Sequence, residues 1–385
     1  MQDILLIGNG FDIYHGLPTR YTDFLVFVNN WNMFYSQYRD GGDSDIFQLP
    51  LDKDGKLIPD SMDEFARHGG YNDDLIQYLN SNISGNLWID YFNKRMKDIS
   101  DKWIDFEDEI NNVLLAIEVF YSDILPHRQP RVPLIKQRGN QGIYYVIKHF
   151  CKNVRGFDIN LINGVVGNKI LEPDNIKDLK KQSIKCINDD LKVLTECLRI
   201  YLIEFVSRIS VSVMSEQVKA LNGCCVASFN YTYTYQTVYG FKEGGLNHQV
   251  HGELKENNLV LGVDGKAFTD DNEYADFIKY FQIIMNNTGS FYKEWIRDFN
   301  SLNDEEVHLY VFGHSLGIID KDIIYEFLTS NRVKKITMFY HNDGARKDLL
   351  HKLLEILGQD LFKNYYDSRK IEFELLQKAV PRLSA

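Results

Sequence analysis

Hydrophobic residues fall into two regimes along this chain. Toward both ends they occur in short continuous runs: residues 3–8, closing at Gly8, then Cys224–Ser228, Gln249–His251, Leu259–Gly262, His308–Gly313, Lys335–Tyr340 and Ile371–Leu375. Runs of this length without polar alternation predict strands buried on both faces. Helical spacing falls between several of them, at 320–329 and 344–357. The alternation predicts an α/β protein with a doubly wound, mostly parallel sheet. From about residue 62 to 222 the period is helical instead. Over 176–221, Ile176, Leu179, Ile184, Ile187, Leu191, Leu194, Leu198, Tyr201, Leu202, Phe205, Ile209 and Val213 keep one face apolar. That predicts a long helix started by Asp174 or Asn175 and stopped by Asn222-Gly223. Trp88, Tyr91, Phe92, Trp103, Phe106, Ile110, Leu114 and Leu115 predict one or two further helices across 84–125. Residues 126–175 read as loop-rich and 40–60 as an exposed loop. The chain therefore divides into an α/β core, 1–40 and 216–385, and a mainly helical insertion, 41–215.

The 385 residues are 44% hydrophobic and carry a net charge of −11. A surface this acidic repels phosphate backbones, so general nucleic-acid binding is not expected. No apolar stretch approaches the ~18 residues of a membrane span, and no basic segment precedes the opening run. A cytoplasmic protein without a membrane partner is expected; a homo-oligomer is compatible with the composition. Cys151, Cys186, Cys197, Cys224 and Cys225 form no C-x-x-C pair, which predicts reduced thiols and no structural metal. Asp52-Lys53-Asp54-Gly55 lacks the remaining ligand positions of a calcium loop and reads as a turn.

Four segments at strand ends carry candidate chemistry. Gly8-Asn9-Gly10-Phe11-Asp12 follows the first strand and opens a helix, a place where backbone can approach a bound phosphate. Gly16-Leu17-Pro18-Thr19-Arg20 comes next, with Arg20 available for a phosphate or a carboxylate. Asn230 ends the second strand, and its amide can hold a water or a sugar hydroxyl. His251 follows shortly after, next to Gly252, and titrates near neutrality, as a general base should. Gly313-His314-Ser315-Leu316-Gly317 has two readings. It fits a nucleophile elbow, with Ser315 served by Asp320, Asp322, Asp343 or Asp348 and by His341 or His351. It also fits a turn whose backbone and Ser315 contact a nucleotide. Asp320 has the look of a helix cap five residues on, whereas an elbow serine opens its helix directly, which favours the second reading. Tyr340-His341-Asn342-Asp343-Gly344 closes another strand.

Ile7-Gly8-Asn9-Gly10-Phe11-Asp12, His15-Gly16-Leu17-Pro18-Thr19 and Tyr21-Thr22-Asp23-Phe24 together resemble the start of bacterial AbiH-type abortive-infection proteins. The same stretch is similar to the sirtuin opening, with Gly8, Gly10, Gly16 and Pro18 matching. Asp12 takes that family's serine position, Thr19 its aspartate and Tyr21 its arginine. Ser228–Thr232 and His251-Gly252 resemble the sirtuin T-Q-N-x-D and H-G segments, with Thr232 in place of the aspartate. The resemblance implies an antiphage effector that binds NAD, or a related nucleotide, and cleaves it. It assigns catalysis to Asn230 and His251, and NAD contacts to Gly8, Asn9, Gly10, Phe11, Asp12, Thr19, Arg20, Gly313, Ser315 and Asn342. Residues 253–300 contain no cysteine, where sirtuin deacetylases carry a zinc module, so hydrolysis of NAD is expected rather than deacetylation. The alternatives are a nucleotide sensor without turnover and a serine esterase using Ser315. Trp103-x-x-Phe106-Glu107 resembles an AbiH element; the simpler reading is a core tryptophan beside a solvated acid. Tyr280-Phe281 and Phe291-Tyr292-Trp295 read as core aromatics.

Overall fold

The opening run becomes the centre of a sheet. Six strands, in chain order β1 (Gln2–Ile7), β2 (Cys225–Ser228), β3 (Asn247–Gln249), β4 (Val307–Phe312), β5 (Val333–Tyr340) and β6 (Ile371–Leu375), lie in the spatial order β3-β2-β1-β4-β5-β6 in a computed structural model. It describes residues 2–40, 70–98, 104–124, 141–152, 154, 173–221, 224–240, 246–264, 272–296 and 306–382. Every pairing is parallel. The order is that of a doubly wound dinucleotide-binding sheet, reversing direction between β1 and β4, the place where such sheets bind ligands.

Both faces of the inner strands are covered, as their apolar runs require; the edge strand β6, expected to be buried on both faces, instead alternates Ile-Glu-Phe-Glu-Leu and buries only Ile371. Ile4 and Leu6 pack on one side with Leu309, Val311, Ile336 and Met338. Leu5 and Ile7 pack on the other with Val226, Phe312 and Phe339. Leu259–Gly262, by contrast, forms no strand. Leu259, Leu261 and Val263 bury into a separate helical core rather than into the sheet, and an apolar run alone does not distinguish these fates.

That helical core gathers the helices Asp73–Asn82, Leu87–Asp98, Phe106–Ile124, Gln141–Phe150 and Pro173–Ile200. It also takes in Phe24, Phe27, Trp31 and Phe34 from the N-terminal side and Leu254, Tyr274 and Phe277 from the C-terminal side. The helix Gln141–Phe150 lies inside the stretch expected to be loop-rich. The long helix ends earlier than its apolar period implies: it widens to a π turn over Tyr201–Phe205, tightens over Val206–Arg208, and gives way to extended backbone at Ile209. The β-branched, serine-rich sequence beyond it supplies Val213–Met214, which pairs antiparallel with Val380–Pro381. Asn222-Gly223, Asp52–Gly55 and Trp103 lie outside the described residues, as do the side chains of Asp174 and Asn175. No described helix is long and apolar enough to cross a membrane.

Candidate active site

Two glycine turns meet at the switch point. Gly8 donates its N–H to Phe312 O, and Gly10 donates to Gly313 O at 2.8 Å. A Cβ on Gly8 would sit 2.6 Å from His314 Cα, and one on Gly10 2.7 Å from Gly313 Cα. Gly313 itself has φ +68° and would drive a Cβ into Phe11 N. These glycines therefore serve backbone-to-backbone contact between the turn after β1 and the turn after β4. Gly313→Ala is expected to lower stability by about 2–4 kcal/mol, combining a left-handed alanine with an overlap, as read from urea unfolding. A loss under about 1 kcal/mol would mean that the turns separate freely.

Beside this contact lies a cavity of about 260 Å³. Its lining includes Gly8, Asn9, Gly10, Asp12, Thr19, Arg20, Asn230, His251, Gly313 and Ser315. Residues separated by more than 200 positions are thus brought together. Phe11 and Asn342 are not in the lining. Phe11 is fully buried beneath the turn against His15 and Phe312. Asn342 is exposed and caps the helix Asp343–Leu357, accepting from Ala345 N at 2.8 Å. Ser315 is exposed, Leu316 rather than Ser315 has positive φ, and the next α-helix begins at Lys321. His341 and His351 are exposed and outside the lining. This geometry favours the plain turn over the elbow.

Thr232 donates its hydroxyl to Asp12 Oδ2 at 2.5 Å. A carboxylate–hydroxyl pair thus joins the first glycine turn to the segment after β2. Burial pushes Asp12 up to about 6, against hydrogen bonds from Thr232, Thr234 and Asn230. Asn230 donates its side-chain amide to Gly8 O at 3.0 Å, holding the end of β1 to the end of β2. Gln249 ties β3 into the same corner by donating to Thr232 O. Tyr201, in the π turn, donates to Pro18 O at 2.7 Å and so fixes the loop bearing Thr19 and Arg20. Arg20 stands exposed at the cavity mouth, 3.8 Å from Asp23.

Four lining residues, Glu107, His251, His314 and Asp320, join with Lys279 in a charged chain. His251 Nε2 lies 3.0 Å from Asp320 Oδ1. Lys279 Nζ lies 2.8 Å from the same oxygen and 2.9 Å from Glu107 Oε1. His314 stands 3.6 Å from Asp320 Oδ2. All five residues are buried. Burial opposes the charge of Asp320, but Lys279 and His251 overcome it and hold the carboxyl well below its usual range. Asp320 and Glu107 likewise outweigh burial at Lys279 and keep its ammonium above the ordinary lysine value. Burial, with the Lys279 charge, lowers His251 despite Asp320. Burial raises Glu107 to about 8 against Lys279, with repulsion from Asp320 and Asp105 added. An ionised Asp320 cannot donate, so the His251 proton sits on Nε2 and the lone pair on Nδ1.

Glu107 is therefore no solvated acid: it stands in the cavity wall with Ile104 and Asp105 of the insertion. Lys279 carries no motif; its only signal is a lysine inside the run Phe277-Ile278-Lys279-Tyr280-Phe281. Tyr280, expected in a core, is 70% exposed, whereas Tyr292 and Trp295 are buried. Asp320 occupies the cap position of its helix, but its side chain makes no cap bond and turns into the site. A larger cleft, about 560 Å³, lies along the helix Pro173–Ile200, with its charges paired locally, Arg199 to Glu196 and Lys192 to Asp276.

A family model described as bacteriophage abortive infection AbiH matches residues 4–342. That span runs from β1 through the cavity residues to the end of β5. No curated protein and no solved structure matches the chain.

Proposed function

This chain belongs to the bacteriophage abortive infection AbiH family, and on that premise we propose that it is an effector that binds NAD and hydrolyses it to nicotinamide and ADP-ribose. The observation that carries this reading is His251, held by an ionised Asp320, in one cavity with Asn230 at the switch point of the sheet. Nicotinamide leaves NAD as a neutral molecule from a cationic ring. The bond to it needs no proton donor, only a placed water and an environment that tolerates positive charge at the ribose. Asp12, Asp105 and Asp320 line the cavity, which suits a cation developing there. Asn230, its amide nitrogen held by Gly8, offers Oδ1 to the water or to a ribose hydroxyl, and His251 Nδ1 takes the water's proton.

A volume of about 260 Å³ is at or below the small end of ligand pockets, roughly 300–1,000 Å³. The nicotinamide riboside end fills it, and the phosphates lie at the mouth beside Asn9, Thr19 and Arg20. The test is chromatography of NAD incubated with the purified protein. Nicotinamide should appear in step with ADP-ribose. A higher melting temperature with NAD and no nicotinamide would make the site a sensor instead.

A further inference from the structure

We propose that Glu107 is a general acid of this cavity, so that the site also cleaves N-ribosyl bonds whose leaving group must be protonated, adenine among them. The proposal rests on reading the cavity as an N-glycosidic site. Departure of nicotinamide makes no use of Glu107, yet the residue is buried, lines the cavity and sits on a helix of the insertion rather than of the sheet.

Its neighbours decide its protonation. Glu107 and Asp320 share a single lysine, Lys279. Asp320 also receives His251 and faces His314, while Glu107 has Lys279 as its cation and Asp105, Asp320, Tyr21 and Tyr231 as its other polar surroundings. With one cation for two acids, the less supported acid keeps its proton. Glu107 is the less supported, in keeping with its rise to about 8. The acid and the base are joined through one Lys279–Asp320 pair by contacts of 2.9, 2.8 and 3.0 Å. Both residues line one small cavity, and paired acid–base groups about one site are how glycosidic bonds are broken.

In the adenine reaction the water oxygen bonds to C1′ and gives its proton to His251 Nδ1. The C1′–N9 bond breaks with its electron pair going to the base, and the Glu107 proton neutralises the departing ring nitrogen. The products are adenine and a free ribosyl hydroxyl. Solvent exchange returns the His251 proton and reprotonates Glu107.

The probes are NAD and ADP-ribose, the latter retaining the adenine bond alone. Wild-type protein should release adenine from ADP-ribose, with a rate that falls above about pH 8 as Glu107 ionises. Glu107→Gln keeps an acceptor for Lys279 and cannot give up a proton. It should lower adenine release by roughly 10²–10⁴-fold and nicotinamide release by much less, so that their ratio falls at least about tenfold. Nicotinamide without adenine from the wild type, or equal losses of both in Glu107→Gln, overturns the proposal. Adenine without nicotinamide overturns the NAD reading and leaves the acid in place. Release of neither overturns both.

Discussion

Lys279→Met is expected to cost about 3–5 kcal/mol of folding free energy at neutral pH, the usual penalty for removing one partner from a buried ionic cluster. Methionine fills the volume of the lysine stem but leaves Glu107 and Asp320 without the cation that both contact. The deficit should depend on pH in a defined direction. Glu107 holds its proton up to about pH 8 in the folded chain, against roughly 4.3 when unfolded. The folded state therefore binds more protons across that window, and stability falls as pH rises through it. Without Lys279 the folded-state value climbs further, so the gap to wild type should widen from pH 5 to pH 8. Urea unfolding at both pH values measures it. A gap that narrows as pH rises would mean that Lys279 does not balance these carboxylates.

His251→Ala should reduce nicotinamide release by roughly 10²–10⁴-fold, the range a positioned base contributes. The change removes one donor to Asp320 but leaves Lys279 on it, so the circular dichroism spectrum should be retained. Because burial lowers the His251 value, the wild-type acid limb should fall below the ordinary histidine value near 6.5. The limb should be absent from any residual activity of the variant. An unchanged rate in a folded variant would remove His251 from the mechanism.

The sheet was legible because its inner strands are buried on both faces: Ile4–Ile7 and Leu309–Phe312 admit few other structures. Leu259–Gly262 misled for the same reason, since burial in a helical core leaves the same apolar trace. The glycine turns, Asn230 and His251 were legible as strand-end residues, and a parallel sheet places all strand ends of one sense at one edge. The acidic side of the site was not. The Lys279–Glu107 pair spans 172 positions between two helices, and no local period reports such a meeting. Asp320 has the sequence position of a cap; only the fold shows its carboxylate turned to His251 and Lys279. The glycines were legible as necessary, but their demand is set by one another's backbone rather than by phosphate.

The strand between the two flanks precedes both of them in the chain. β1 finds its neighbours at Cys225–Ser228 and Val307–Phe312, so 305 positions separate Leu5 from its partner Tyr310 on the second flank. Closing such long loops is entropically slow, and the pairing of Gly10 with Gly313 cannot precede it. Until Val307–Phe312 has paired with β1, the two glycine turns stay apart and the cleft between them is unassembled.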